Sequence, residues 1–240
     1  MCSRYSLTSP PEAVRATFRL KDIDGFPPRY NIAPTQPVGI IRAGLDSAPE
    51  FRLVRWGLIP SWVKAPDGRA TLINARAETA AEKPSFRGAL RHRRCVIPAN
   101  GFYEWTGKPG EKVPHLIRAR GSSAYAAAGD GEGGAGGLLA LAGLWEHWVG
   151  ADGSELETNA ILTVAANGTV GRLHERMPAL LPLADVAAWL DCRSGSSVAA
   201  EPMLQPAPDD VLETLEIDRA VNNVRNEGPA LQHPLRTKLL

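Results

Sequence analysis

A cysteine follows the initiator methionine directly, in "MCSRYSLTS". Its side chain is small, so Met1 is a candidate for removal, and the mature chain would then begin with a free α-amine and a thiol on adjacent carbons. An N-terminal amine has a reference pKa of ~7.7–8.0 and a thiol ~8.5, so near neutral pH a useful fraction of each is deprotonated. Such a pair attacks an aldehyde twice: the amine forms an imine, and the thiolate closes a five-membered thiazolidine. Alternatively, the amine serves as general base for its own thiol, as in N-terminal-nucleophile hydrolases. A lone cysteine is otherwise most simply a small buried hydrophobe. The terminus suggests covalent chemistry without choosing the substrate.

Further candidates lie along the chain. Glu104 stands between Tyr103 and Trp105 in "PANGFYEWTG". On the solvated face of a strand it is an ordinary carboxylate; turned inward among aromatics, it would have a raised pKa and suit acid–base work near neutral pH. His174, in "GRLHERMPALL", sits beside opposite charges just before an apolar run. In "TLINARAETA", Asn74 and Arg76 share one side if the run is extended, an amide for a hydroxyl and a guanidinium for a phosphate. Asn31 and Pro34 in "RYNIAPTQ" give a turn signal. Lys83, Arg87, Arg91, Arg93 and Arg94 form a basic cluster, with Trp56, Trp62 and Phe86 at moderate sequence distance. Cations for phosphates and rings for bases are the mixture that single-stranded nucleic acid requires, although such clusters are usually solvated faces. Histidine spacing offers no H-E-x-x-H site, and no metal or other cofactor is expected.

The elements that must position these groups are short. "PVGIIRA", "FRLVRWGLIP", "CVIPANGFYEW", "PHLIRAR", "LLALAGLW" and "NAILTVAA" are apolar runs bounded by Gly, Pro and Asn, and read as strands. "SPPEAVRATFRL" reads as a helix capped by Ser9, with Pro10 in its first turn and Glu12 completing a capping box; "LADVAAWLDC" reads as another. The small-residue stretch from Gly121 to Gly137 is expected to be a flexible surface excursion rather than a domain boundary. Many strands, few helices and no regular alternation favour a single α+β domain over residues 1–240, with a largely antiparallel, barrel-like β core.

Composition sets the outer bounds. With 240 residues, 44% hydrophobic and 22% charged, the chain has the make-up of a globular domain. A formal net charge of +1 leaves nucleic-acid binding to local patches. No signal peptide or membrane span is legible. The three cysteines, Cys2, Cys95 and Cys192, are odd in number and far apart, which argues against a disulfide framework. A cytoplasmic, monomeric protein is expected, nucleoid-associated if bacterial.

Seven segments occur in a family-specific order: "MCSRY", "RYNIAPTQ", "RWGLIPSW", "LINARAET", "PANGFYEW", "LTVAAN" leading to "LHERMP", and "VNNVRNEGP". From Cys2 to about Pro234 the chain resembles the SRAP family, the SOS-response-associated proteins that process abasic sites. The resemblance implies removal of Met1 and covalent crosslinking of Cys2 to the ring-opened aldehyde of an abasic site in single-stranded DNA. It further implies that Asn74 positions the opened sugar, that Glu104 acts as acid and base in imine formation, and that His174 assists ring opening and reversal. Arg76, Arg4 and Arg87 are the implied phosphate contacts. Asn31, Pro34, Trp56, Trp62, Phe86, Met177 and Pro178 complete the implied DNA-binding set. The family's hydrolase and peptidase labels derive from self-removal of the first residue, and β-elimination at the imine would add lyase activity. Replication or repair partners are left open.

Two departures stand out: Ser3 where the family usually has Gly, and the Gly121–Gly137 stretch, which looks like an insertion. Two other functions are compatible with parts of the sequence. An N-terminal-nucleophile amidohydrolase would release ammonia from an amide such as glutamine, and a non-catalytic single-strand binder would be indifferent to Cys2.

Overall fold

The computed structural model describes residues 2–64, 71–128, 137–193 and 195–235. Two sheets make up the β core. The first has the order β13-β8-β7-β1-β2, from β1 (Tyr5–Leu7), β2 (Arg29–Ile32), β7 (Gly101–Thr106), β8 (Val113–Ala119) and β13 (Leu212–Glu216). The second contains β3 (Pro37–Ala43), β4 (Pro49–Trp56), β5 (Asn74–Arg76), β6 (Arg94–Ala99), β9 (Ala126–Ala127), β10 (Leu138–Val149), β11 (Glu155–Ala165) and β12 (Arg176–Pro178). Four α-helices accompany them among the described residues: α1 (Pro11–Phe18), α2 (Ala77–Ala80), α3 (Pro84–His92) and α4 (Val186–Leu190). No helix among the described residues is long and apolar enough to cross a membrane.

The second sheet closes on itself into a ring-like arrangement through β11-β4-β3-β6-β10 and back to β11. Closure depends on the two longest strands, each of which changes partner along its length. β10 pairs with β6 from Leu139 to Leu144 and with β11 from Gly143 to Val149. At the changeover, Gly143 faces Cys95 on one side and Ile161 on the other, and a Cβ there would stand 2.1 Å from Ile97 Cδ1. A glycine is what lets three backbones meet at that corner. All the named pairings are antiparallel except those of β11 with β4 and β5, so the expected α+β fold with a largely antiparallel core is what the chain adopts.

Two local expectations are corrected. Helix α1 begins at Pro11 with Pro10 as its N-cap residue, and no side chain caps it. The Ser9 hydroxyl is instead taken by Asn100 Nδ2 at 2.8 Å, while Asn100 Oδ1 accepts from the backbone N–H groups of Thr8 and Ser9. The Gly121–Gly137 stretch is not wholly an excursion either: Ala126 is buried, and β9 pairs with the start of β10 at Leu138 and Leu139. Residues 129–136 of that stretch lie outside the described residues.

The N-terminus is held where most termini fray. β1 lies inside the first sheet between β7 and β2, with Tyr5 in register with Phe102 and Ile32, and Tyr103 N–H donates to Arg4 O at 3.0 Å. Tyr5 packs edge-on against Trp56, with ring centroids 5.2 Å apart, and so ties the first sheet to the ring.

Candidate active site

Held in this way, Cys2 is fully buried. Its thiol donates to Arg4 O at 3.7 Å, and its carbonyl accepts from Asn74 Nδ2 at 2.8 Å. Asn74 opens β5, which runs parallel to β11 with Asn74 in register with Ile161. Burial first, and the Glu104 carboxylate second, push the Cys2 thiol up to about 12. In this enclosure the sulfur stays protonated across the neutral range.

Glu104 is supplied by β7. Along that strand Tyr103 packs into a small outer cluster with Leu116, Ile217 and Val221, whereas Phe102 belongs to the main core. Alternation therefore turns Glu104 inward with Phe102, the arrangement that would suit acid–base work. The residue is 5% exposed. Desolvation raises its pKa above the usual carboxylate range, and the neighbouring His174 charge opposes part of that rise. Glu104 is thus the electrostatic neighbour of both Cys2 and His174.

His174 sits at the end of a tight turn. Asn167 Oδ1 accepts from Val170 N–H at 2.9 Å, Asn167 Nδ2 grips the carbonyls of Ala207 and Pro208, and His174 N–H donates to Val170 O at 3.1 Å. The ring is oriented by Arg176, whose backbone N–H lies 2.9 Å from Nδ1. Nδ1 also lies 3.2 Å from Arg176 O, so the Arg176 backbone occupies that ring nitrogen and leaves Nε2 as the other proton-carrying position. Arg176 is itself fixed by a bidentate pair with Glu78, at 2.6 and 2.8 Å, and by Thr163 O at 2.5 Å. Glu78 lies in α2, immediately after β5, so this pair ties the segment carrying Asn74 to the turn carrying His174. The Glu78–Arg176 pairing escaped the sequence reading, since residues 98 apart carry no local signal of contact.

The implied DNA-binding residues divide sharply. Arg76 is exposed, and its guanidinium makes no hydrogen bond or ion pair among the described residues. Trp62 is 58% exposed and shares a cleft of about 390 Å³ with Arg87, Arg91 and Arg93. Lys83, Arg87 and Arg91 are exposed, Phe86 is half-buried against the core, and Pro34 is half-buried. Trp56, Met177 and Pro178 are buried and offer no surface to a base or phosphate; they pack the core beneath the site, and the Trp56 indole N–H is spent on Ile73 O at 3.0 Å.

Two arginines of the basic cluster, and Arg4 and Asn31 of the implied set, serve the architecture. Arg94 is 3% exposed and donates to the carbonyls of Leu90, Trp189, Asp191 and Ser196. Arg93 pairs with Glu146 at 2.8 Å. Arg4 lies over the Trp105 ring and donates to Asn31 Oδ1 at 2.6 Å and Val221 O at 3.0 Å. Buried Asn31 in turn donates to the carbonyls of Val221, Asn223 and Asn226. "RYNIAPTQ" and "VNNVRNEGP" are thus two sides of one joint, which locks the C-terminal loop to the strand following Cys2.

A family model described as SOS response associated peptidase (SRAP) matches residues 1–224. The chain is 35% identical over 236 residues to the abasic site processing protein YoqW of Bacillus subtilis (strain 168), covering 96% of this chain and 98% of that one. It is 31% identical over 261 residues to the abasic site processing protein HMCES of Xenopus tropicalis, covering 95% of this chain and 77% of that protein. A crystal structure of a protein from Bacteroides thetaiotaomicron superposes with a TM-score of 0.78 at 25% identity, over 98% of this chain and all of that one.

Proposed function

Because the chain belongs to the SOS response associated peptidase (SRAP) family, we propose that it processes abasic sites in single-stranded DNA by a covalent reaction at Cys2. The observation that carries this reading is the setting of Cys2: a terminal cysteine enclosed with an inward carboxylate and an oriented imidazole, its carbonyl held by Asn74 at 2.8 Å. An enclosure of this kind suits an electrophile with no base attached. An abasic nucleotide fits, because no base has to be unstacked before it turns inward.

Removal of Met1 bares the α-amine. The amine adds to the C1 aldehyde of the opened sugar, and the resulting carbinolamine loses water to give the imine. Glu104, with its raised pKa, donates the proton that lets hydroxide depart as water. The thiol then adds across the C=N bond: a C–S bond forms, the sulfur proton passes to nitrogen, and a thiazolidine closes. His174 offers Nε2, the nitrogen not engaged by the Arg176 backbone, as the second proton carrier, for opening the sugar ring and for reversal. Over the whole sequence, aldehyde plus N-terminal cysteine gives thiazolidine plus one water.

Affinity for the strand is assigned to exposed cations. Arg76→Ala is expected to weaken binding several-fold and to lower the slope of log K against log salt by about 1, one phosphate contact's share. Anisotropy titrations at three salt concentrations measure both; an unchanged slope would place the phosphate contacts elsewhere.

The experiment that tests the reading is intact mass of the purified protein before and after incubation with an oligonucleotide carrying one abasic site. The expected result is loss of methionine, then a heat-stable adduct of protein plus strand less one water. A mature terminal cysteine without an adduct would point to amide substrates, and a retained Met1 would remove the mechanism.

A further inference from the structure

Asn159, in β11, is 1% exposed, and neither its amide nitrogen nor its amide oxygen has a hydrogen-bond partner among the described residues. Buried polar groups are nearly always paired, so two unmet atoms on one buried side chain call for an explanation. Buried Thr158 next to it has its hydroxyl paired with Ile59 N–H and Glu146 O, and Ala160, Ile161 and Leu162 are apolar, so Asn159 stands apart in carrying unmet polar atoms.

Register shows what Asn159 faces. Along one edge, β11 pairs in parallel with β4 and then β5, aligning Asn159 with Trp56, Ile161 with Asn74, and Thr163 with Arg76. Aligned residues, and every second residue along a strand, present their side chains to one face. That face carries, in order, Arg76 with Thr163, Asn74 with Ile161, and Trp56 with Asn159. It runs from exposed Arg76 to fully buried Trp56, and Cys2 is fastened to it midway, through Asn74. The Asn74 amide has an unmet atom too: Nδ2 holds Cys2 O, whereas Oδ1 is buried and has no partner.

Diagonal neighbours on adjacent strands have Cβ atoms about 7 Å apart. Side chains standing side by side at that spacing lie within reach of a single oxygen making two hydrogen bonds of about 2.9 Å. Asn159 Nδ2 donates, while Asn159 Oδ1 and Asn74 Oδ1 accept. A hydroxyl links the two side chains: it accepts from Asn159 Nδ2 and donates its one proton to Asn74 Oδ1, which leaves Asn159 Oδ1 to a water. A carbonyl cannot donate, and an ammonium cannot accept. Trp56, its N–H already used on Ile73 O, adds only an apolar wall.

We propose that Asn159 and Asn74 together bind one hydroxyl group, and that in the reaction proposed above this is a hydroxyl of the ring-opened sugar. The sugar assignment rests on that reading. Water offers the same chemistry and occupies the position before substrate arrives. On this view Asn159 distinguishes an opened deoxyribose from a plain aldehyde of similar size.

The test compares N159L and N159S with the wild type. Adduct formation at saturating abasic oligonucleotide is expected to be at least ten-fold slower in N159L. Noncovalent affinity for a strand carrying a tetrahydrofuran analogue should be unchanged. N159S keeps a short hydroxyl and leaves room for a bridging water, so its rate should recover part of the loss. An unchanged rate in N159L overturns the sugar assignment. A slower N159S than N159L assigns the effect to packing and overturns it as well. A crystal structure of the unliganded wild type decides the site independently of activity. An oxygen within hydrogen-bond reach of both amides supports it even if no adduct ever forms, whereas its absence, with a higher melting temperature for N159L, ends the proposal.

Discussion

Cys2→Ala is expected to eliminate the covalent adduct completely while leaving noncovalent binding to an abasic strand intact. The substitution removes one sulfur atom from a fully buried site, and the lost contact is a weak thiol bond to Arg4 O at 3.7 Å. Deleting so small a buried group costs about 1 kcal/mol, too little to unfold a domain whose terminal strand is paired on both edges. The rate effect is unbounded by comparison. Alanine at the terminus still has an amine and can form the imine, but nothing can close the ring, so the product stays hydrolysable and exposed to β-elimination. A denaturing gel after heating should show no adduct. Borohydride reduction of the same mixture should trap the imine, and anisotropy should report wild-type affinity. Loss of adduct, trapping and binding together would signal misfolding rather than chemistry. A persistent heat-stable adduct would remove the thiol from the mechanism.

The protonated state of that thiol also bears on the order of events. Burial raises the thiol to about 12, so at neutral pH the sulfur is held as the thiol. Direct attack by the sulfur on a free aldehyde is therefore slow, and amine addition precedes it. Once the imine has formed, the sulfur proton is wanted on nitrogen, so the high pKa ceases to be an obstacle. Stability carries the matching signature. An unfolded thiol ionises near its ordinary value, so stability contributed by the buried thiol is present below that value and is lost as pH rises toward 12.

Much of this arrangement was legible in the sequence, for identifiable reasons. Short apolar runs bounded by Gly, Pro and Asn located the central strands, and "PVGIIRA" coincides with β3 from Pro37 to Ala43. Strand β10 extends past "LLALAGLW" to Val149, because Glu146 is carried into the interior by its pair with Arg93. Helix α3 has only a short stripe, Phe86, Ala89 and Leu90 at i, i+3 and i+4, and Arg87 and Arg91 read as a basic cluster instead. Charge type was the least informative signal. Arg76 and Arg94 are both arginines in polar-looking segments, yet one is exposed and the other holds four carbonyls in the interior. Which cation is left exposed is decided by long-range register, and so is what Asn159 faces. Motif identity singled out Cys2, Asn74, Glu104 and His174, which the fold brings together, but it could not separate exposed residues from the joints that hold the fold together, such as Arg4 with Asn31.

Glu104→Gln should slow adduct formation by about 10²-fold, the lower end of what positioned proton transfer contributes, and should raise the melting temperature at neutral pH. Both effects have one cause. Burial lifts the Glu104 pKa above its unfolded value. Between those two values the native state binds a proton that the unfolded chain has released, so stability falls as pH rises across the interval. Below it both states are protonated and the penalty vanishes; above it the penalty is complete. Glutamine cannot ionise, so the gap in melting temperature between variant and wild type should open as pH rises through the ordinary carboxyl range and then level off. The wild-type rate should fall as pH rises past the raised pKa, because the general acid is lost, whereas the variant should lack that limb. Melting curves and single-turnover rates over one pH series separate the two effects. An unchanged rate with a widening stability gap would leave Glu104 buried and charged but outside the chemistry. A slow variant with no gap would make it a catalyst in a wetter site than the fold provides. Joint appearance of both effects ties the rate to the desolvation that the inward turn of β7 imposes, since the stability forgone by burying Glu104 is what holds a proton ready for the leaving water.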